Sequence, residues 1–474
     1  MLIVKLILSI LAIYIIGFAV LKYVLPDVRR HIIETLSLSF GLGTGVVALV
    51  MVLMFHARIE VDRTNLILFF TPVLLGLFYA ESKQRFRQNI SISDIHVGRL
   101  FCSKNFNILE IFLLFVIVLS VVLISFQALF KPMFTYDALS IWAFKATVFF
   151  KEQTIFTDDF YNSNRLHYHP KYPLLIPLTE NWIYNCLGCV NDRLVKIIFP
   201  LFYISLISIF YTTQRRFFSR QYSLVFTALL TTIPSFVRSD KGGAAFSGNA
   251  DVPLTFFYSV GIIYLFCWMK EREKVDLLIS AIFSGLAIFT KNEGLGLFAV
   301  TVFCLSLFIL FNSKKGVVGQ NIESLSTYII IPMLIVSPWL LLSMGMPTFV
   351  EDENYPGHLT IATVIANMPR MPTILSSFCL EFMDIRRWNI FWILFGVAVI
   401  GGFKFMIKSL IKYIFLILIL DFCLFVLVYI ITPWNVKELI SCSMTRLVIQ
   451  ITPIAVFIVS KQMRMVLDYR SGRS

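Results

Sequence analysis

Apolar runs long enough to cross a bilayer recur along the whole chain, separated by short polar segments. A helix of about 20 apolar residues spans the hydrocarbon core. The runs predict helices at 2–25, 35–56, 65–80, 108–130, 194–213, 221–237, 251–269, 277–290, 293–312, 325–344, 388–407, 411–431 and 446–461. The expected fold is therefore an all-α polytopic membrane protein with about thirteen transmembrane helices. No fixed-period repeat is visible, so solenoids and simple inverted-repeat transporters gain no support.

One further apolar stretch, 174–189, decides the orientation of everything after it. If it lies along the interface, the segments 26–34, 81–107, 214–220, 270–276, 313–324, 404–412 and 462–474 fall on one side. They carry most of the clustered basic residues, among them Arg29, Arg30, Lys83, Arg215, Arg216, Lys270, Lys314, Lys315 and Lys408. That side is expected to be the cytoplasm, because basic residues are retained there. Counting 174–189 as a span would scatter the clusters over both faces. The reading adopted places the amino terminus outside and the carboxyl terminus inside. The amino-terminal run lacks a clear small-residue cleavage site and is read as a retained first helix.

Composition agrees. The chain of 474 residues is 58% hydrophobic and only 15% charged, against about 25% charge in an ordinary soluble domain. Its net charge of +13 would suit nucleic acid if the cations formed a continuous face. They sit instead in short clusters between apolar runs, the pattern of membrane topology rather than of a phosphate track. Cys186 and Cys189 form a lone CxxC with no second ligand pair at metal-site spacing, and read as packing thiols.

The face opposite the basic clusters receives two long outer loops, 131–193 and 345–387. Loops of that length in a compact protein are usually functional or disordered. The first holds Tyr136, Trp142, Tyr161, Tyr168, Tyr172 and Trp182, an aromatic content that argues against disorder. Asp137 lies in it just beyond a span. A partly desolvated carboxylate there would serve as a base, or it could cap the next helix and pair with Lys145. Further along, His167, His169 and Lys171 stand among prolines and could hold an anion or a metal. The i, i+2 histidines lack a third ligand, and a structured turn explains them more simply.

Three further candidates lie at the ends of spans on the same face. Asp251 heads a helix, with Pro253 suited to the first turn, so capping alone could account for it. Lys291 and Glu293 occupy a tight connection between two apolar runs, where ionisable residues are costly and point to function. A mutual Lys–Glu pair is the plainer account. Arg446 stands at the start of the last span, on the face where positive charge is disfavoured. An arginine fork matches phosphate oxygens, although snorkelling to the interface would also place it there. An acid, two cations and aromatics at one membrane face are what a transferase using a membrane-anchored sugar phosphate needs. A base removes the acceptor proton, and cations hold the departing phosphate.

The runs YDALSIWAFKA (136–146), HPKYPLLIPL (169–178), GNADVPLTFFY (248–258) and GLAIFTKNEGL (285–295) resemble, in this order, bacterial GT-C superfamily glycosyltransferases. These are relatives of the protein O-mannosyltransferases and the lipid A aminoarabinose transferases. The resemblance extends over about 108–461. It divides the chain into added N-terminal helices with a cytoplasmic loop, 1–107, and a GT-C-like core, 108–474. It implies that Asp137 deprotonates or orients the acceptor. Asp251 would position acceptor or metal, and Lys291 would bind the donor phosphate. The implied donor is a polyprenyl-phosphate sugar, transferred with inversion. The stretch 438–447, ELISCSMTRL, keeps Ser441, Ser443 and Arg446 but lacks the histidine and aspartate expected before the last helix.

The function expected is thus an inverting, polyprenyl-phosphate-sugar-dependent glycosyltransferase. It would face outward from a multi-pass membrane location, in a bacterial inner membrane, and use a glycan, lipid or protein acceptor. No cofactor is required by the pattern; a divalent metal is left open because metal dependence varies across the superfamily. Two other classes remain: a polyisoprenoid or glycan transporter or flippase, and a non-catalytic assembly subunit. The first would place charged or broken helices near the bilayer midplane, whereas here charge gathers at the outer boundary.

Overall fold

The apolar runs fold as helices because a bilayer offers no partner for an unpaired backbone amide or carbonyl. The computed structural model describes residues 1–24, 31–88, 106–162, 169–238, 243–312, 318–347 and 355–470. Among them there is no β-strand, and ten helices are long and apolar enough to cross a membrane. The fold is an all-α polytopic membrane protein.

The chain opens with α1 (Leu2–Val24), α2 (Ile32–His56), α3 (Arg63–Gln88) and α4 (Ile108–Phe130). Helices α1 and α2 form a close antiparallel pair, and α2 packs on into the body of the protein. Gly41 and Gly45, four residues apart on α2, permit this. A Cβ on Gly41 would stand 2.8 Å from the Phe256 ring, and one on Gly45 2.5 Å from Leu286. Small residues at that spacing let membrane helices approach closely.

The first long loop is folded. It contains a π-helical turn (Ala138–Ala143), α5 (Phe144–Glu152), α6 (Asp158–Tyr161) and α7 (Leu175–Leu187). At 13 residues α7 is about 20 Å long, too short to span the core. This accords with its reading as a non-crossing segment. It packs against α1, α2 and α5. His167 and Tyr168 lie outside the described residues.

The central helices are α8 (Ile198–Arg215), α9 (Arg220–Thr231), α10 (Pro234–Val237), α11 (Asp251–Glu271), α12 (Lys274–Thr290), α13 (Glu293–Asn312) and α14 (Val318–Met344). The span expected at 221–237 is two pieces, because proline at 234 cannot donate to the helix that precedes it. Helix α11 is the hub, buried along almost its whole length between α8, α12 and α21. Phe40, Phe202, Phe256, Phe257 and Phe283 meet around it with ring centroids 4.9–5.8 Å apart.

The second long loop carries α15 (Tyr355–His358), α16 (Ile361–Asn367), α17 (Met371–Met383) and α18 (Ile385–Trp388). Then follow α19 (Phe391–Lys408), α20 (Ile411–Ile431) and α21 (Val436–Arg470). Helix α21 begins ten residues before the span expected from Arg446, so Arg446 projects from its third turn rather than its start.

Candidate functional site

Five of the residues singled out from the sequence meet at the end of the bundle where α11 begins. Asp251, the first residue of α11, is the centre. Its Oδ1 accepts from Lys291 Nζ at 3.0 Å and its Oδ2 from Arg446 Nε at 2.8 Å. Arg446 Nη2 donates in turn to Asp137 Oδ2 at 2.6 Å, and Lys291 Nζ reaches Glu293 Oε1 at 2.5 Å. The result is a chain of alternating charge: Asp137, Arg446, Asp251, Lys291, Glu293.

Burial is graded along it. The Asp251 side chain is 1% exposed, Lys291 6% and Arg446 12%, while the two end acids are 25% and 30% exposed. Two cations and three acids thus face one another in a site open at its acidic ends. Burial pulls the Lys291 ammonium down, but the Asp251 and Glu293 carboxylates outweigh it and hold its pKa above the ordinary lysine value. Lys291 is therefore a fixed cation at physiological pH.

Local structure explains how each residue arrives. Asp137 sits immediately before the π-helical turn, a departure from α-helix often found at functional sites. The backbone leading to it is pinned by Lys196, whose ammonium donates to Pro132 O at 3.2 Å. The segment 243–250 lies against it: Thr135 Oγ1 donates to Asn249 Oδ1 at 3.0 Å. Gly248 has φ +90°, and a Cβ there would press to 3.1 Å from Ala138. Only glycine adopts that conformation without strain. Lys291 leaves α12 in extended conformation, and Glu293 opens α13, so the two side chains return to the same point.

The remaining candidates lie elsewhere. Lys145 is fully buried, and its ammonium donates to the carbonyls of His169 at 2.7 Å, Tyr172 at 3.3 Å and Pro170 at 3.4 Å. It braces the turn that follows residue 168. It does not pair with Asp137, as the structural alternative had it; Arg446 takes that place. His169, at φ +42°, stacks on Tyr172 with centroids 4.8 Å apart. Lys171 is half-buried beside it. Neither is among the five residues of the charged chain.

One neighbour escaped the sequence reading. Arg387, from the second long loop, donates to Thr445 Oγ1 at 3.2 Å, the residue before Arg446, and pairs with Glu381. The signal was Arg386–Arg387 just before a span on the face where basic residues are scarce. Among the described residues no three His, Cys, Asp or Glu side chains converge as metal ligands. The acids of the chain face cations instead of one another, three carboxylates against two cations. Cys186 and Cys189 are free thiols, both half-buried.

Chemically, the arrangement offers one half-open carboxylate with Oδ1 available and a guanidinium–ammonium pair held in place by a buried acid. Those are the parts of a site that accepts a proton and binds an anion.

Residues 173–342 match the family model of the dolichyl-phosphate-mannose-protein mannosyltransferases. The match covers about a third of the chain and includes Asp251, Lys291 and Glu293, but not Asp137 or Arg446. The resemblance to GT-C superfamily glycosyltransferases, read from the motifs, therefore holds over the central helices. No curated protein and no solved structure matches the chain.

Proposed function

We propose that this GT-C-type membrane glycosyltransferase moves a sugar from a polyprenyl-phosphate carrier to an acceptor hydroxyl at the end of the bundle where α11 begins. The observation that carries the reading is the continuous chain Asp137–Arg446–Asp251–Lys291–Glu293, assembled from segments as much as 309 residues apart in sequence. Burying charges costs several kcal/mol per ion unless they are paired, so a stable fold gains little from building such a chain. A site that must bind a charged phosphate gains a great deal.

In this reading Asp137 Oδ1 takes the proton of the acceptor hydroxyl, while Oδ2 stays on Arg446. The acceptor oxygen attacks the anomeric carbon, the bond from that carbon to the phosphate oxygen breaks, and polyprenyl phosphate leaves. Arg446 and Lys291 meet the negative charge developing on the phosphate. No acid is needed, because a phosphate leaves without protonation. Asp251 touches neither reacting atom and works by holding both cations. Preorganised cations aimed at developing charge are usually the largest catalytic contribution. Attack opposite the leaving group inverts the anomeric centre.

The face is assigned to the outside of the membrane, and the membrane to a bacterial inner membrane. The orientation rests on charge asymmetry, since Arg215, Arg216, Arg220, Lys270, Arg272 and Lys274 gather at the opposite end of the central helices, and the membrane on the resemblance to bacterial transferases. The acceptor is a glycan, lipid or protein hydroxyl.

The test is turnover by the purified protein, with a bacterial membrane lipid extract as donor and a set of candidate acceptors. Free polyprenyl phosphate should appear, together with a glycoside of opposite anomeric configuration to the donor. A product that keeps the donor configuration would remove the single-displacement mechanism. Movement of intact lipid-linked sugar without cleavage would remove the transferase reading.

A further inference from the structure

A second feature lies away from the charged chain, on the flank formed by the first helices. Helices α1, α3 and α7 enclose a groove of about 270 Å³. Its head holds two cations, Lys5 one turn into α1 and Arg63 at the start of α3. The Lys5 ammonium donates once, to Leu187 O at 2.9 Å, which leaves two of its three donors. Arg63 forms no ion pair among the described residues, and Lys5 forms none either. The carboxylate beside Arg63 is already engaged, since Asp62 Oδ1 accepts from the Asn65 amide at 2.8 Å.

Below the cations the walls are mostly apolar, with Ser9, Thr71 and Asn185 the polar members. Leu8, Ala12 and Ile16 descend one face of α1 at four-residue steps, and Phe70 of α3 closes against the Trp182 ring at 5.4 Å. From Lys5 to Ile16 is 11 residues, about 16 Å along the helix. That is close to half of the roughly 30 Å hydrocarbon core, the depth of one leaflet. Leu8 is 58% exposed, so the groove opens sideways toward the bilayer.

We propose that this groove is a binding site for one anionic glycerophospholipid, its phosphate between Lys5 and Arg63 and an acyl chain along α1. Two unpaired cations above a leaflet-deep, mostly apolar channel match a lipid with a charged head and a tail of that length. A polyprenyl chain is much longer than one leaflet and would overrun the channel, so the occupant is a bilayer lipid and not the carrier. The site is separate from the transferase reading and does not depend on it.

The experiment is lipid retention by the purified full-length protein in phosphatidylcholine nanodiscs doped with phosphatidylglycerol, read by native mass spectrometry. Wild type should retain about one phosphatidylglycerol per chain in preference to phosphatidylcholine. Replacing both cations, Lys5→Ala with Arg63→Ala, should weaken retention about thirtyfold, at about fivefold per surface cation. Ala12→Trp, which fills the channel and leaves both charges, should lower it as well. That variant decides the matter if the double replacement does not fold. Equal retention of the two lipids, or wild-type retention in Ala12→Trp, overturns the site. Displacement of phosphatidylglycerol by added polyprenyl phosphate overturns the assigned occupant.

Discussion

Helix α11 has a charged network at each end, about 30 Å apart over its 21 residues, and the two are built differently. At the Glu271 end one cation serves several acids. Arg216 grips Asp276 through both oxygens at 2.9 and 3.1 Å and lies 3.4 Å from Glu34 and 3.7 Å from Glu271. Tyr264 adds a hydrogen bond to Glu34 at 2.5 Å. Glu34 and Asp276 stand in the first turns of α2 and α12, where the helix dipole favours acids. Nearby, Glu110 closes a capping box on α4 and binds Arg220 through both oxygens. Most charges at that end sit at helix termini; Lys461, 3.2 Å from the Phe217 ring centroid, is the exception inside α21.

At the Asp251 end the logic reverses. Asp137, Asp251 and Glu293 stand where helices begin and Lys291 where α12 ends, positions the dipoles welcome, but Arg446 projects from the body of a helix. The most buried acid is the middle member, and both end acids are half-open. Both networks reach an exposed carboxylate, Glu271 at 37% against Asp137 at 25% and Glu293 at 30%; they differ at the centre, where one cation holds several acids at the Glu271 end and one buried acid holds two cations at the other. Ion pairs alone do not mark a site; two cations fixed on one buried acid are what an anion needs.

Replacing charges at each end breaks the comparison in different ways. The largest effect is expected from Asp251→Asn, which leaves Arg446 and Lys291 buried against each other. Loss of a buried partner costs about 3–5 kcal/mol, readable as a lower melting temperature in detergent, and turnover should vanish with it. An unshifted melting curve would mean that the two cations do not depend on Asp251. Arg446→Lys comes next. Lysine lacks the planar fork that reaches two carboxylates, so turnover should fall about a hundredfold with less loss of stability than in Asp251→Asn. Wild-type turnover would remove the fork from the argument.

Asp276→Asn, at the opposite end, should cost about 1–2 kcal/mol as one charge-assisted contact is lost. Turnover per folded molecule should be unchanged; a drop would make the Glu271 end part of the working site. The smallest effect belongs to Glu293→Gln. Its side chain is 30% exposed and Lys291 keeps Asp251, so stability should change by less than about 1 kcal/mol. A change as large as that of Asp251→Asn would show that the chain is not graded by burial.

The helices were legible because a bilayer forces apolar residues into continuous runs, and the charge clusters then order their ends. Pairing was not. Asp137 could be recognised as an interfacial acid, yet nothing local distinguishes Lys145, eight residues away, from Arg446, 309 residues away, as its partner. Lys145 is close to Asp137 in sequence, but its ammonium is held by three carbonyls of the turn at 169–172. Arg387 was missed because its tie to Thr445 depends on the folding of the second long loop against α21. Boundaries failed where proline or length intervened, at Pro234 and at the early start of α21.

In the proposed reaction the chain of charges at the Asp251 end performs sugar transfer, with Asp137 as its base. The most direct test is the rate of polyprenyl phosphate release from lipid-linked sugar by purified wild type and Asp137→Asn, with the melting temperature of each measured in parallel. We expect a fall of about 10²–10⁴-fold, with a stability loss of less than about 1 kcal/mol, as for the half-open Glu293. A mutant that turns over at the wild-type rate would contradict this reading.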